Sequence, residues 1–177
     1  VSAPGKRFSG DVKVTDLLYE TYDNVSLRGE TGEAFEKICE RFRGIVSELG
    51  LNMDVDALLA QTGAEILREA TPDFCASRGE YLSARIMAQL LDVPFIDARD
   101  VVKFGADGRL DGEKTYALLA AALKGKKRAV VSGFYGEDVN GKVKTFSRAR
   151  RAHPHVLPRG QRRVRRHRGA RGRGGSV

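Results

Sequence analysis

Apolar residues recur every three or four positions through much of the chain, which is the spacing of one buried helix face. The most regular segment runs over 35–49, and Gly50 follows it directly, where a helix commonly ends. An alanine- and leucine-rich segment later in the chain ends in the same way, before Gly125. The pattern predicts five helices, over about 15–23, 35–49, 54–70 and 111–124 and from 77 through 90.

Short apolar runs in the second half of the chain have the length and composition of buried strands. They cover 93–97, 101–104 and 129–133, and the last is apolar enough for a covered parallel strand. Asn140-Gly141 precedes an alternating segment, which predicts a β-hairpin. Helices that alternate with short strands indicate an α/β domain with helices on both faces of its sheet.

Charge divides the chain near residue 148. The 177 residues contain 31 lysines and arginines against 23 acids, a net charge of +8, but ten of the arginines lie in 149–177, which has no acid. Residues 1–148 therefore have 21 bases against 23 acids and a net charge of −2. We predict two parts: a domain over 1–148, and a basic Arg/Gly-rich tail over 149–177 that is disordered.

Histidine and cysteine restrict the chemistry of the domain. All three histidines lie in the tail, which excludes a Ser-His-Asp triad or a histidine-ligated zinc site from 1–148. Cys39 and Cys75 lack the spacing of a metal site and indicate reduced cytosolic thiols. The longest apolar run, 116–123, is far shorter than the roughly 20 residues that span a bilayer. Neither a metal site nor a membrane partner is predicted.

The segment 77–80 (Ser-Arg-Gly-Glu) is a first candidate for a binding motif, and it is predicted to open a helix. One interpretation is a capping box between Ser77 and Glu80. The other is that the Glu80 carboxylate, at a helix N-terminus, holds the ammonium group of a ligand. The capping box leaves Gly79 unexplained, since glycine in a first turn costs about 1 kcal/mol unless something approaches closely.

The segment 133–136 (Gly-Phe-Tyr-Gly) lies at the carboxyl end of the strand predicted over 129–133. Open α/β sheets bind ligands at the carboxyl ends of their strands. An ordinary aromatic turn is the simpler interpretation of these residues alone. Arg148 is either a solvated surface charge or a bidentate clamp for a carboxylate. The segment 136–142 matches most of a P-loop, but Val143 replaces the magnesium-binding hydroxyl residue, and the hairpin explains the glycine and the lysine.

In order and spacing these motifs resemble those of the aspartokinases, within the amino-acid kinase family. The resemblance covers essentially all of 1–148 and implies a three-layer α/β/α sandwich of the amino-acid kinase type. It rests on 1–3 (Val-Ser-Ala), 14–18 (Val-Thr-Asp-Leu-Leu), 77–83 (Ser-Arg-Gly-Glu-Tyr-Leu-Ser), 133–136 and 146–148 (Phe-Ser-Arg).

The resemblance implies a cytoplasmic enzyme that uses ATP and Mg2+ to phosphorylate the side-chain carboxylate of L-aspartate, the first step toward lysine, threonine and methionine. It also implies a homodimer for the full-length protein. By motif match, Glu80 is expected to hold the aspartate ammonium group and Arg148 its α-carboxylate. Ser2, Thr15 and Phe134 are expected to complete the pocket. Positioning matters more than a general base here, because the acceptor is already an anionic nucleophile.

The chain departs from the family's pattern at both ends, so we expect an incomplete sandwich. The family's Lys-Phe-Gly-Gly strand with its catalytic lysine is expected before Val1, and Ala149 stands where Gly-Gly-Ser-Asp is expected. No catalytic residue is therefore assigned, and we expect little or no kinase activity from the chain alone. Two alternatives remain: a protein whose tail binds RNA weakly and non-specifically by charge, on an inert α/β scaffold, or an amino-acid kinase with another acceptor.

Overall fold

Four helices in succession fill the first half of the chain, and the strands follow. A computed structural model describes residues 1–146, so the predictions for the tail and for Arg148 lie outside the described residues. The helices are α1 (Val14–Arg28), α2 (Gly32–Glu48), α3 (Val55–Arg68), α4 (Pro72–Leu91), α5 (Ala98–Val101) and α6 (Gly112–Leu123). The strands are β1 (Phe95–Ile96), β2 (Val130–Val131), β3 (Tyr135–Glu137) and β4 (Val143–Thr145).

The first four helices surround the main core. α1 packs on α2 and α4, and α3 packs on α2. Helix starts follow from the sequence: the Asp54 side chain accepts a hydrogen bond from the amide of Ala57 (2.9 Å) at the start of α3. The Thr71 hydroxyl accepts one from Phe74 (3.1 Å) at the start of α4. Fully buried side chains of this core include Phe42, Phe74, Leu18, Ile38, Leu59, Ile66 and Leu82.

The strands form two small sheets in the described residues. β1 and β2 pair in parallel, with Ile96 opposite Val131, and α5 and α6 lie between them along the chain. α4 covers this pair through Ala84 and Ala88. β3 and β4 form an antiparallel hairpin around 138–142. The α/β fold class, the parallel pairing and the hairpin are thus confirmed, and the residues of the apparent P-loop belong to that hairpin.

Most predicted helices are confirmed. The segments 35–49, 54–70 and 111–124 correspond to α2, α3 and α6, and the first predicted helix continues past residue 23 to Arg28. Gly50 has a positive φ of 61°, as expected for a residue that ends a helix. In the described residues, no helix combines the length and the apolar character needed to cross a membrane.

The prediction that a helix begins at Ser77 is wrong. α4 begins at Pro72, after the capping residue Thr71, so 77–80 lie inside the helix. No capping box forms there, because the Ser77 hydroxyl donates to the carbonyl oxygen of Phe74 (2.6 Å). Thr71-Pro72 is the helix start, since proline suits the first helical turn and threonine its cap.

The predicted strand over 101–104 is only partly present. Val101 is the last residue of the one-turn helix α5, which forms because the Asp97 side chain caps it. Lys103 and Phe104 make isolated bridges, to Glu137 and to Leu110 respectively. The apolar run therefore predicted the buried positions correctly, but the extended backbone begins later than the predicted strand.

Candidate functional site

Three segments of the chain meet at Gly79, in the middle of α4. A Cβ atom placed on Gly79 lies 2.7 Å from the Cβ of Ala3, 3.2 Å from Leu18 Cδ1 and 3.3 Å from Val14 Cγ1. These distances are too short for a side chain, so only glycine lets the N-terminal segment and α1 approach α4 this closely. The sequence indicated that some group approaches Gly79 closely. In the structure, that group belongs to the N-terminal segment and α1 of the same chain.

This meeting point brings three of the predicted binding residues into one region. Ser2, Thr15 and Glu80 are each the sequence neighbour of a residue that is in contact there. Glu80 is only 5% exposed, Thr15 is half-buried and Ser2 is exposed. The carboxylate therefore lies on the buried side of the region, and the Ser2 hydroxyl lies on the solvent side.

The fourth predicted residue, Phe134, has an unusual backbone conformation. Its φ is +73°, in the left-handed region that bulky residues rarely adopt. The preceding Gly133 lies against the N-terminal segment, because a Cβ placed on it is 2.9 Å from the Val1 carbonyl oxygen. The Phe134 carbonyl oxygen accepts a hydrogen bond from the amide of Phe146 (2.8 Å). The turn that carries Phe134 therefore lies beside the segment that carries Ser2.

Four of the five predicted site residues thus belong to segments in mutual contact, and the fifth, Arg148, lies outside the described residues. The prediction that Glu80 lies at a helix N-terminus is wrong. Glu80 lies eight residues after Pro72, beyond the first turn, where the partial positive charge of a helix N-terminus has faded. Any attraction of Glu80 for an ammonium group therefore comes from its own charge and its burial.

Arg78, next to Gly79, is a feature that sequence reasoning missed. Its side chain is 3% exposed and lies among three aromatic rings, which we call the Arg78 cage. The guanidinium carbon is 4.4 Å from the ring centre of Phe74, 4.6 Å from that of Tyr81 and 5.5 Å from that of Tyr135. Two of these aromatic residues lie four positions before and three after Arg78, on one helix face, and that spacing is the signal that could have revealed the cage.

A buried ion pair fixes the loop between Ser2 and α1. Asp11 accepts a hydrogen bond from Arg41 of α2 (2.6 Å), and the two side chains are 8% and 4% exposed. Arg41 also donates to the carbonyl oxygen of Gly5 (3.3 Å). The side chain and the backbone amide of Arg7 both donate to Asp11 (3.0 Å each). The loop is therefore attached to the helical core rather than to the sheet.

This attachment is expected to be sensitive to acid. The hydrogen bonds from Arg7, together with the nearby charge of Arg41, hold the pKa of Asp11 well below its usual range. A lowered pKa stabilises the fold at any pH above the unfolded value of about 4, and the stabilisation fades as pH falls below that value. We expect the urea midpoint of the Asp11→Asn variant to be lower than that of the parent by a constant amount above about pH 5, and the difference to shrink below about pH 4. A difference in urea midpoint that stays constant down to the lowest accessible pH would contradict the lowered pKa of Asp11.

Ionic contacts attach the hairpin after Phe134 to the rest of the fold. Glu137 accepts hydrogen bonds from Lys103 (2.6 Å) and Arg99 (3.2 Å). Burial raises the pKa of Glu137, but these two cations outweigh it and hold the pKa below its ordinary value. Arg99 also reaches Glu69 at the end of α3 (3.1 Å). Helix α3, helix α5 and the hairpin are therefore joined by one charged cluster.

Metal ligation has no support within residues 1–146, where no group of three or more suitable side chains comes together. Cys39 and Cys75 are free and buried. Burial raises the pKa of the Cys39 thiol to about 11 and that of Cys75 to about 12. Both thiols therefore stay protonated and unreactive at neutral pH.

Comparison with known proteins connects this fold to one group of enzymes. No protein-family profile matches the chain. Aspartokinase 3 of Bacillus subtilis is 26% identical over 163 residues, which cover 84% of this chain and 36% of that protein. The crystal structure of Clostridium acetobutylicum aspartate kinase superposes with a TM-score of 0.77 and 42% identity, over 83% of this chain and 34% of that one.

A more distant structure shows the same fold. Escherichia coli aspartokinase III, solved with aspartate and ADP, is 22% identical and superposes with a TM-score of 0.61 over 83% of this chain and 36% of that one. The described residues therefore have the α/β fold of the aspartate kinases. By sequence and by structure, the chain is similar to aspartokinases over most of its length, and it spans about a third of the length of these relatives.

Proposed function

We propose that the chain carries the aspartate-binding half of an aspartokinase active site. The reaction is the ATP-dependent phosphorylation of the side-chain carboxylate of L-aspartate to 4-phospho-L-aspartate, in the cytoplasm, toward lysine, threonine and methionine. The observation that carries the proposal is the meeting of the segments of Ser2, Thr15, Glu80 and Phe134 around two closely packed glycines. The E. coli relative, which was solved with aspartate and ADP, supports the choice of ligands.

Each residue has a role that suits its position. Glu80, which is buried, binds the α-ammonium group through its carboxyl group, since opposite charges attract each other more strongly in a region of low dielectric. Ser2 and Thr15 offer hydroxyl groups on the more exposed side. Phe134 completes the pocket, and Arg148 binds the α-carboxylate. The side-chain carboxylate of aspartate is then left to attack phosphorus, and it needs no histidine as a base because it is already ionised.

ATP and Mg2+ enter this proposal through the resemblance to aspartokinases. The described residues offer no set of ligands that fits a magnesium ion, and the segment most like a phosphate-binding loop is a hairpin. Roles are therefore assigned only at the amino-acid end of the reaction. We also propose that the full-length protein is a homodimer, and that any binding of nucleic acid by the tail is weak and non-specific.

Calorimetric titration of the 177-residue chain with L-aspartate tests the proposal. We expect binding to the parent chain and a loss of at least roughly thirtyfold in the Glu80→Gln variant, because a hydrogen bond to a charged group contributes about 2 kcal/mol. Glu33→Gln makes the same change of charge on an exposed site of α2 and serves as the matched control. Undiminished binding by Glu80→Gln, or no binding by the folded parent chain, would overturn the proposal.

A further inference from the structure

A closed ring of hydrogen bonds surrounds the turn that carries Phe134. The Tyr135 hydroxyl donates to Asp97 Oδ1 (2.6 Å) and accepts from the Ser132 hydroxyl (2.8 Å). Ser132 Oγ in turn accepts from the amide of Ala98 (2.9 Å). Asp97 and Ala98 are consecutive residues, so the ring closes through the backbone. Each of the two hydroxyl groups donates once and accepts once, so neither is left without a partner.

The ring joins the ends of three strands. Asp97 follows β1, Ser132 follows β2, and Tyr135 opens β3. Tyr135 is fully buried and Ser132 is 3% exposed, so water does not compete for these bonds. Burial of Tyr135 next to the Asp97 carboxylate raises the pKa of its phenol far above neutrality, so the hydroxyl keeps its proton and remains a donor.

Only two residues, Gly133 and Phe134, lie between Ser132 and Tyr135, whose hydroxyl groups bond to each other. The chain bends at Phe134, which takes the left-handed conformation at a φ of +73°. Such a conformation is strained in a phenylalanine, and it persists only where the surroundings over-determine it. The hydrogen bond from the Phe146 amide to the Phe134 carbonyl oxygen further restrains the backbone of Phe134.

We propose that the Tyr135 hydroxyl is a positioning group that holds Phe134 in its left-handed conformation and so sets the affinity of the site for aspartate. This inference rests on the proposed aspartate-binding function. Tyr135 acts through Phe134, because its own ring and hydroxyl are fully buried and out of reach of a ligand. Preorganisation of this kind improves affinity by removing the cost of ordering the turn when the ligand binds.

The Tyr135→Phe variant tests the inference, since it removes one oxygen and keeps the ring. We expect its dissociation constant for L-aspartate to rise about tenfold. We also expect the intraresidue HN–Hα nuclear Overhauser effect of Phe134, which is strong only at positive φ, to weaken. Tyr81→Phe is the matched control, because the Tyr81 hydroxyl has a longer bond, 3.3 Å from Arg85, outside the ring. It is expected to change neither signal.

A double variant separates positioning from general stability. Glycine adopts positive φ without strain, so in a Phe134→Gly background the Tyr135→Phe change is expected to have no further effect on aspartate affinity. An equal tenfold loss in both backgrounds would show that Tyr135 does not act through Phe134, and would overturn the inference. If Tyr135→Phe does not fold, Ser132→Ala replaces it, since that change removes the two bonds of Ser132 from the ring and leaves Tyr135 bonded to Asp97.

The outcomes distinguish this inference from the proposed function. Aspartate binding to the parent chain with unchanged affinity in Tyr135→Phe overturns the positioning role and leaves the proposed function intact. No aspartate binding to the parent chain overturns the proposed function and the affinity half of the inference with it. The Overhauser signal of Phe134 then tests whether the Tyr135 hydroxyl holds Phe134 in its left-handed conformation. An unchanged signal in Tyr135→Phe would overturn that part of the inference as well.

Discussion

Replacing Arg78 by alanine is expected to destabilise the folded chain by about 3 kcal/mol or more, one of the largest effects of any single change. The substitution removes a cation that is 3% exposed and lies within 4.4–5.5 Å of three ring centres. Each desolvated contact of this kind contributes about 1–2 kcal/mol, and the long aliphatic stem leaves a cavity when it is lost. Unfolding in urea, followed by circular dichroism, measures the change.

The ion pair of Arg78 is expected to matter much less than the cage. Its distance to Glu65 is 3.5 Å and Glu65 is 21% exposed, so Glu65→Gln should cost less than about 1 kcal/mol. Arg78→Lys keeps the charge and loses the planar contact with the rings, so an intermediate cost is expected. If Glu65→Gln were as costly as Arg78→Ala, the ion pair rather than the rings would hold this side chain in place.

Gly79→Ala is expected to have an effect opposite to that of the same change at another helical glycine. At Gly44, in α2, a Cβ meets nothing within 4 Å, so Gly44→Ala should stabilise the chain by roughly 0.5–1 kcal/mol through helix propensity. At Gly79 the same gain is opposed by a Cβ that lies 2.7 Å from Ala3. Overpacking of this kind costs about 1–3 kcal/mol, so we expect Gly79→Ala to be the less stable variant by about 1–3 kcal/mol.

Aspartate affinity gives the second readout for Gly79→Ala. The new methyl group pushes the segment of Ala3 away from α4, and with it Ser2 away from Glu80. We expect roughly a tenfold loss of affinity or more in calorimetry, since a displacement of about 1 Å in a binding site has effects of this size or greater. Gly44→Ala should bind as the parent chain does. Equal stability and equal affinity in the two variants would show that the contact at Gly79 is loose.

The sequence predicted those elements whose signals are local. The helices α2 and α3 each combine a periodic apolar face with a terminal glycine or a polar cap, and α6 combines an Ala/Leu-rich composition with the cap of Asp111, so both features lie within one segment. The start of α4 was misplaced because Ser77 and Glu80 have the spacing of a capping box, whereas Thr71-Pro72 is the start that forms. A local signal can occur twice in one helix, and only packing selects between the two.

The sequence proposed residues for the candidate site, and it carried no information on their geometry. Motif order and spacing picked out Ser2, Thr15, Glu80 and Phe134, whose segments the structure brings into contact. The left-handed backbone of Phe134 depends on bonds between residues 38 positions apart in the chain, such as Tyr135 to Asp97. Periodicity carries no information about such contacts, because it describes one element at a time.

The order of four helices before any strand divides the site between two parts of the chain. Thr15 and Glu80 lie on α1 and α4, which pack against each other in the helical core. Phe134 follows β2, which is held by the parallel pair of Phe95 with Val130. The packing of α1 on α4 and the pairing of β1 with β2 each close a long segment of chain, so the site is complete only when both have formed. Conditions that separate β2 from β1 should abolish the aspartate end of the site while the helices remain folded.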